Sequence, residues 1–152
     1  MVGVVIAQTL WSQSLNGSFN VTISANASLW NNAALTQPCT SITLTPSTID
    51  GGDLTTVMQS QPIYVCYTGS QTGNLPFSVT VTGLDSSWTV TYTESVSNTV
   101  HANGYVISGW TWSNYNTNGH LGVFSVVISI QQNTAHTTAS TQNLAANFQI
   151  GS

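Results

Sequence analysis

Phe77-Ser78-Val79-Thr80-Val81-Thr82-Gly83-Leu84-Asp85-Ser86-Ser87-Trp88-Thr89-Val90-Thr91-Tyr92-Thr93 is the stretch whose reading decides the fold. Phe77, Val79 and Val81 alternate with Ser78, Thr80 and Thr82; Trp88, Val90 and Tyr92 alternate with Thr89, Thr91 and Thr93. Successive side chains of a strand point to opposite faces, so each run offers one face to a core and one to water. Gly83–Ser87 turns the chain between them, which predicts a hairpin or two successive strands of a sandwich.

Outward from this pair the same period recurs. Ile63, Val65 and Tyr67 share a face after Pro62, with Cys66 pointing the other way. Ile42 and Leu44 alternate with Ser41, Thr43 and Thr45, and Phe19, Val21 and Ile23 alternate with Asn20, Thr22 and Ser24. Downstream, Val100–Ile107 reads as a strand broken at Asn103-Gly104, Leu121–Ile130 as the longest late strand, and Phe148 with Ile150 as a short last one. Residues 25–38 read as a loop or one short helix, Thr48–Asp53 as a turn, and Trp11–Leu15 as a polar connector. No long amphipathic helix and no internal repeat is present. Eight to ten strands at regular spacing predict an all-β chain forming a single β-sandwich, jelly-roll or immunoglobulin-like in kind.

Composition narrows the function. The chain has 152 residues, no Lys or Arg, four acids (Asp50, Asp53, Asp85, Glu94) and three histidines. Without basic side chains it cannot neutralise phosphates, so nucleic acid and anionic lipid are excluded as partners. Its surface is kept wet by 43 serines and threonines and 14 asparagines, where a cytoplasmic protein would use net charge. An extracellular location is expected. Cys39 and Cys66, the only cysteines, are then expected to pair; the closed loop would contribute about 3–4 kcal/mol through chain entropy. Asn16-Gly-Ser18, Asn20-Val-Thr22 and Asn26-Ala-Ser28 are N-glycosylation triplets clustered in residues 16–28. Glycans there would hydrate what charge does not, and alternation turns Asn20 outward.

Met1-Val2-Gly3-Val4-Val5-Ile6-Ala7-Gln8-Thr9-Leu10 is different in kind. It is apolar on both alternating faces, as in a strand buried on both sides, and too short to span a bilayer as a helix. Joined to the rest by a polar connector, it predicts a donor strand. Val2, Val4, Val5, Ile6 and Leu10 of one subunit would fill a groove in the next, adding main-chain hydrogen bonds. Such a contact is heterologous and builds a filament unless its rotation closes. The division expected is residues 1–14 as donor strand and connector and 15–152 as sandwich, with an ordinary first strand of its own sandwich as the competing reading.

Other candidates carry less. His101, His120 and His136 lack metal-ligand spacing, and Asp50-Gly-Gly-Asp53 falls short of a calcium loop and reads as a turn. No cofactor or metal is expected. Asp85 and Glu94 would suit acid hydrolysis only if they met in a cleft. Trp110, Trp112 and Tyr115, with Tyr105, offer aromatic faces for sugar rings. A secreted carbohydrate-binding module is therefore the alternative function, although two tryptophans two apart also suit a core. A capsid jelly-roll fits the composition as well, with closed shells as its mark.

Leu15-Asn16-Gly17-Ser18-Phe19-Asn20-Val21, the Asp50-Gly-Gly-Asp53 turn, and Ile63-Tyr64-Val65 followed by Gly73-Asn74-Leu75-Pro76-Phe77-Ser78-Val79-Thr80-Val81 resemble camelysin/TasA-type biofilm fibre proteins. They are more similar still to archaeal surface filaments, the bundling pili and threads. The turn here is Gly-Gly-Asp where that group has Pro-Gly-Asp. The resemblance spans residues 15–95 and implies a jelly-roll subunit, often N-glycosylated, polymerised head to tail by N-terminal strands. The resulting expectation is a non-enzymatic structural subunit of a cell-surface filament, serving adhesion or biofilm formation, with identical subunits and N-linked glycans as partners.

Overall fold

The computed structural model describes residues 12–14, 19–45, 48–50, 57–69, 74–108, 116–117, 120–133 and 143–151. In chain order the first strands are β1 (Ser12–Ser14), β2 (Phe19–Ile23), β3 (Ala27–Trp30), β4 (Leu44–Thr45), β5 (Thr48–Asp50), β6 (Val57–Ser60), β7 (Ile63–Tyr67) and β8 (Phe77–Thr82). There follow β9 (Trp88–Glu94), β10 (Val100–Ala102), β11 (Val106–Ile107), β12 (Asn116–Thr117), β13 (His120–Leu121), β14 (Val123–Gln132) and β15 (Leu144–Ile150). Among the described residues there is no helix.

Two sheets share one core. The larger runs β10-β9-β14-β6-β4, with β7 beside β14 in line with β6 and β3 beside β7 in line with β4, so its seven strands fill five positions. The smaller runs β11-β8-β15-β2 and fills four. β8 and β9 lie in different sheets: the deciding stretch is two successive sandwich strands, not a hairpin. Their inward residues meet across the layers, with the Phe77 ring edge-on to Phe124 (5.0 Å, 89°) and to Tyr92 (6.4 Å, 87°). Val79, Val81, Phe148, Ile128 and Ile130 complete a dry centre.

The larger sheet is irregular where β6 passes into β7. On β14, Val127 and Ile128 stand opposite three residues, Ser60, Gln61 and Pro62, which is a bulge. Pro62 has no N–H to give to the ladder, and the Ile128 amide donates to the Ser60 hydroxyl (2.9 Å). On the other side, β3 and β4 occupy one edge position in succession, interrupted by residues 31–43. Gln61 bridges that interruption: its amide nitrogen donates to the Ser41 carbonyl (3.0 Å) and Asn31 Oδ1 (3.2 Å), and its oxygen accepts the Thr43 N–H (2.8 Å). Gln61→Ala removes these bonds and leaves their exposed partners to water, and is expected to lower stability by about 0.5–1.5 kcal/mol in urea unfolding.

Several expectations change. Residues 27–30 form β3 where a loop or helix was expected, because Ala27–Trp30 is held on one edge by β7 and on the other by the Cys39 amide donating to Leu29 O (2.9 Å). Thr48–Asp50 is a strand rather than a turn, paired with Ser12–Ser14 of the connector. Val100–Ile107 is two strands in two sheets. At the break, the Asn103 amide donates to Val90 O of β9, while its side chain both donates to and accepts from the Val81 backbone of β8 (2.9 and 2.8 Å). The last strand is seven residues long and central. Gly83, at φ +99°, makes the turn from β8 with no room for a Cβ, which would stand 1.9 Å from Asn143 O.

Candidate functional site

Sheet edges are where a β protein meets other chains, because an unpaired edge presents a row of free N–H and C=O groups. Three edges of this sandwich are short or covered. β11 and β4 are two residues long and β10 is three. Beyond β3, a Trp30–Pro38 bridge and the Cys39-to-Leu29 and Asn31-to-Gln37 bonds cap the edge. β2 differs. It is five residues long and pairs in parallel with β15 alone; no strand lies beyond it among the described residues. It carries no charge and no proline. Phe19 is buried, but Val21 and Ile23, which pack inward against the same core, are only half-buried. Asn20 and Thr22 face out. Among the described residues the smaller sheet is thus one position narrower than the larger, and it ends on an edge with no further strand, its apolar side chains turned to the interior.

The opposite side of the sandwich is closed by polar chemistry. Glu94 shares the inward parity of Trp88, Val90 and Tyr92 and its side chain is fully buried. It accepts from the Val96 and Ser97 amides (2.7 and 2.9 Å) and from the Ser97 hydroxyl, and lies 3.4 Å from His101 Nε2. Burial pushes its carboxyl pKa up, but the Ser97 and Val96 donors and His101 outweigh this and hold it below the usual carboxylate range. The His101 ring stacks on Tyr105 (5.3 Å, 11°) and packs on Tyr92 (5.1 Å). Tyr92 donates to the Tyr105 carbonyl (2.7 Å), and its hydroxyl pKa is pushed up to about 12 by burial, then by the Glu94 charge and Tyr105. The Glu94 carboxylate and the Tyr92 hydroxyl both find their partners within this cluster, which braces the β9–β10 corner.

The acids do not assemble for hydrolysis. Asp85 is exposed and bonds the Ser87 amide (2.9 Å) in the turn before β9, whereas Glu94 ends that strand. The strand Trp88–Glu94 alone spans about 20 Å, with Asp85 in the turn at its start and Glu94 at its end. No group of three metal-ligating side chains occurs among the described residues. His120 lies in β13; His136 and Asp53 lie outside the described residues, as do Trp110, Trp112 and Tyr115.

Cys39 and Cys66 are free thiols, which corrects the expected disulfide. β3 lies between them: Cys66 pairs with Ser28 across one of its edges, and Cys39 bonds Leu29 across the other. Two strand spacings separate their backbones by about 9–10 Å, beyond the ~7 Å a disulfide spans. They also face apart, since Cys39 belongs to the core cluster and Cys66 points to the outer face. Burial pushes both thiol pKa values up, away from the reactive thiolate.

Of the glycosylation triplets, Asn20 is exposed on the outer face of β2. Asn26 is occupied: its Nδ2 donates to Ile150 O (3.3 Å) and its Oδ1 accepts the Ser24 hydroxyl (2.8 Å), closing the turn into β3. Asn16 lies outside the described residues, and so do the proposed donor residues Val2, Val4, Val5, Ile6 and Leu10. No helix among the described residues is long and apolar enough to cross a membrane.

No family model matches the chain, and no curated protein matches it. Among solved structures it is similar to a point mutant of CfaE, the CFA/I adhesin of enterotoxigenic E. coli, at 9% identity and a TM-score of 0.32. That match covers 94% of this chain and 49% of the adhesin, so the chain spans about half its length. A score of 0.32 lies below that of a shared fold, and the class stated here, an all-β sandwich, rests on the strands and core themselves.

Proposed function

We propose that this protein is a non-enzymatic structural subunit of an extracellular, pilus-like filament that serves adhesion or biofilm formation. Subunits join head to tail when residues 1–10 of one are donated as a strand to the next. The observation that carries the reading is the mismatch in width, four strand positions facing five, beside an apolar ten-residue run with no charged side chain. A sandwich whose smaller sheet is one position narrower among the described residues, in a chain with an apolar N-terminal run of a strand's length, would have both halves of a polymerising contact. The hydroxyl-rich, lysine-free surface suits a location outside the cell, with glycans at Asn20 facing away from the core. Sedimentation velocity tests the reading. The intact chain is expected to give an open-ended series of oligomers and a variant lacking residues 1–10 a single small species; intact protein that remains monomeric at every concentration overturns it.

A further inference from the structure

We infer that the edge of β2 is the acceptor, and that its occupant is residues 1–10 of a second copy of this chain. The inference rests on the filament reading and adds where the strand docks.

Three observations converge on β2. It is the longest sheet edge left uncapped among the described residues, the other three being shortened or covered. A strand added there would raise the smaller sheet from four positions to five, matching the larger. Its inward residues Val21 and Ile23 are half-buried, whereas those of the neighbouring central strand, Ala146 and Phe148, are fully buried. The edge strand is therefore short of the apolar cover that a further strand supplies.

The chemistry of the slot selects the occupant. With Phe19, Val21 and Ile23 on its floor and Asn20 and Thr22 outside, it takes an uncharged strand with apolar side chains at alternate positions. Val2, Val4 and Ile6 meet that period, and about five residues of strand cover the length of β2. Of the sequence outside the described residues, only 1–10 is apolar over a strand's length; 134–142 and 51–56 are polar, and 109–115 alternates tryptophan with polar residues. The donor comes from a second copy because the linker is committed elsewhere. A hairpin of 1–10 on β2 would use residues 11–18 as its turn, yet Ser12–Ser14 is laddered to β5, in a sheet shared with neither layer.

Cysteine cross-linking tests the assignment in the full-length chain. Asn20→Cys, on the outward face of β2, is combined in turn with Gly3→Cys and Val5→Cys, the residues that flank the inward set. After mild oxidation one combination is expected to give a ladder of covalent oligomers on a non-reducing gel. The same donors combined with Ala102→Cys, on the β10 edge, are expected to give none. Filaments whose ladders appear with Ala102→Cys but not with Asn20→Cys overturn the β2 assignment and leave the filament reading standing. A cross-link confined to monomers makes the occupant the chain's own strand and overturns the inference. Absence of any oligomer, cross-linked or not, removes the filament reading itself.

Discussion

Phe77→Ala is expected to destabilise the subunit by about 3–5 kcal/mol, a large share of the ~5–15 kcal/mol that holds a domain of this size together. Phe77 has no exposed surface. It reaches from the smaller sheet to Tyr92 and Phe124 of the larger, with both rings presented edge-on. Its removal takes away transfer energy, leaves a cavity between the layers, and loses two aromatic contacts that β8 alone makes. Urea unfolding followed by tryptophan fluorescence reads the change as a lower midpoint at unchanged slope. Val106→Ala, also on the smaller sheet but 54% exposed, is expected to stay within about 0.5 kcal/mol of the parent. Equal losses at the two positions would contradict the layer assignment.

Glu94→Ala is expected to cost about 2–4 kcal/mol, because the amides of Val96 and Ser97 and the ring of His101 then lose a charged acceptor. The pH dependence follows from the same contacts. The folded-state pKa of Glu94 lies below its unfolded value near 4.3. Its contribution is therefore fully present above that value and is lost as pH falls through the folded-state pKa. Urea midpoints measured from pH 7 down to pH 3 should fall for the parent below about pH 4.5. Glu94→Gln, which keeps the shape and one acceptor, should begin lower and lose less over the same interval. The aspartates and histidines are common to both proteins, so the difference between the curves reports Glu94 together with its contact to His101. Curves that run parallel would show that the carboxylate is not bonded as described.

The alternation of Phe77–Thr82 and Trp88–Thr93 carried the fold, because both strands bury one face only and the pattern survives in the sequence. The same parity held a signal about Glu94 that is easily passed over: it is the fourth residue on the face of Trp88, Val90 and Tyr92, so an acid was being sent into the core. Gln132 follows Ile128 and Ile130 in the same way. What the sequence could not convey is pairing over distance. β2 is legible as a strand, but its place at the end of the sheet follows from parallel pairing with β15, some 125 residues away. β15 itself hides behind Ala145, Ala146 and Asn147, where alanine stands on both the outward and the inward face and weakens the period. The cysteine pairing failed for a related reason. Parity put Cys66 on the outer face, but the side of β3 on which Cys39 runs is decided by the loop of residues 31–38 and its bonds to Asn32.

In the proposed filament, residues 1–10 supply the strand that brings the smaller sheet from the four positions seen among the described residues to five. Supplying them in trans tests this most directly: a peptide of residues 1–10 is added to a variant that lacks them, and thermal unfolding is followed with negative-stain microscopy. A ligand that binds only the folded state contributes about 2.7 kcal/mol at a hundredfold excess over Kd, equivalent to about 5–10 °C in Tm for a domain of this size. That saturable rise is expected, with the truncated protein remaining monomeric, because a detached strand fills the slot without linking subunits; the intact chain beside it is expected to form filaments. A truncated protein whose Tm is indifferent to the peptide, beside an intact chain that forms no filaments, would contradict the proposed role of residues 1–10.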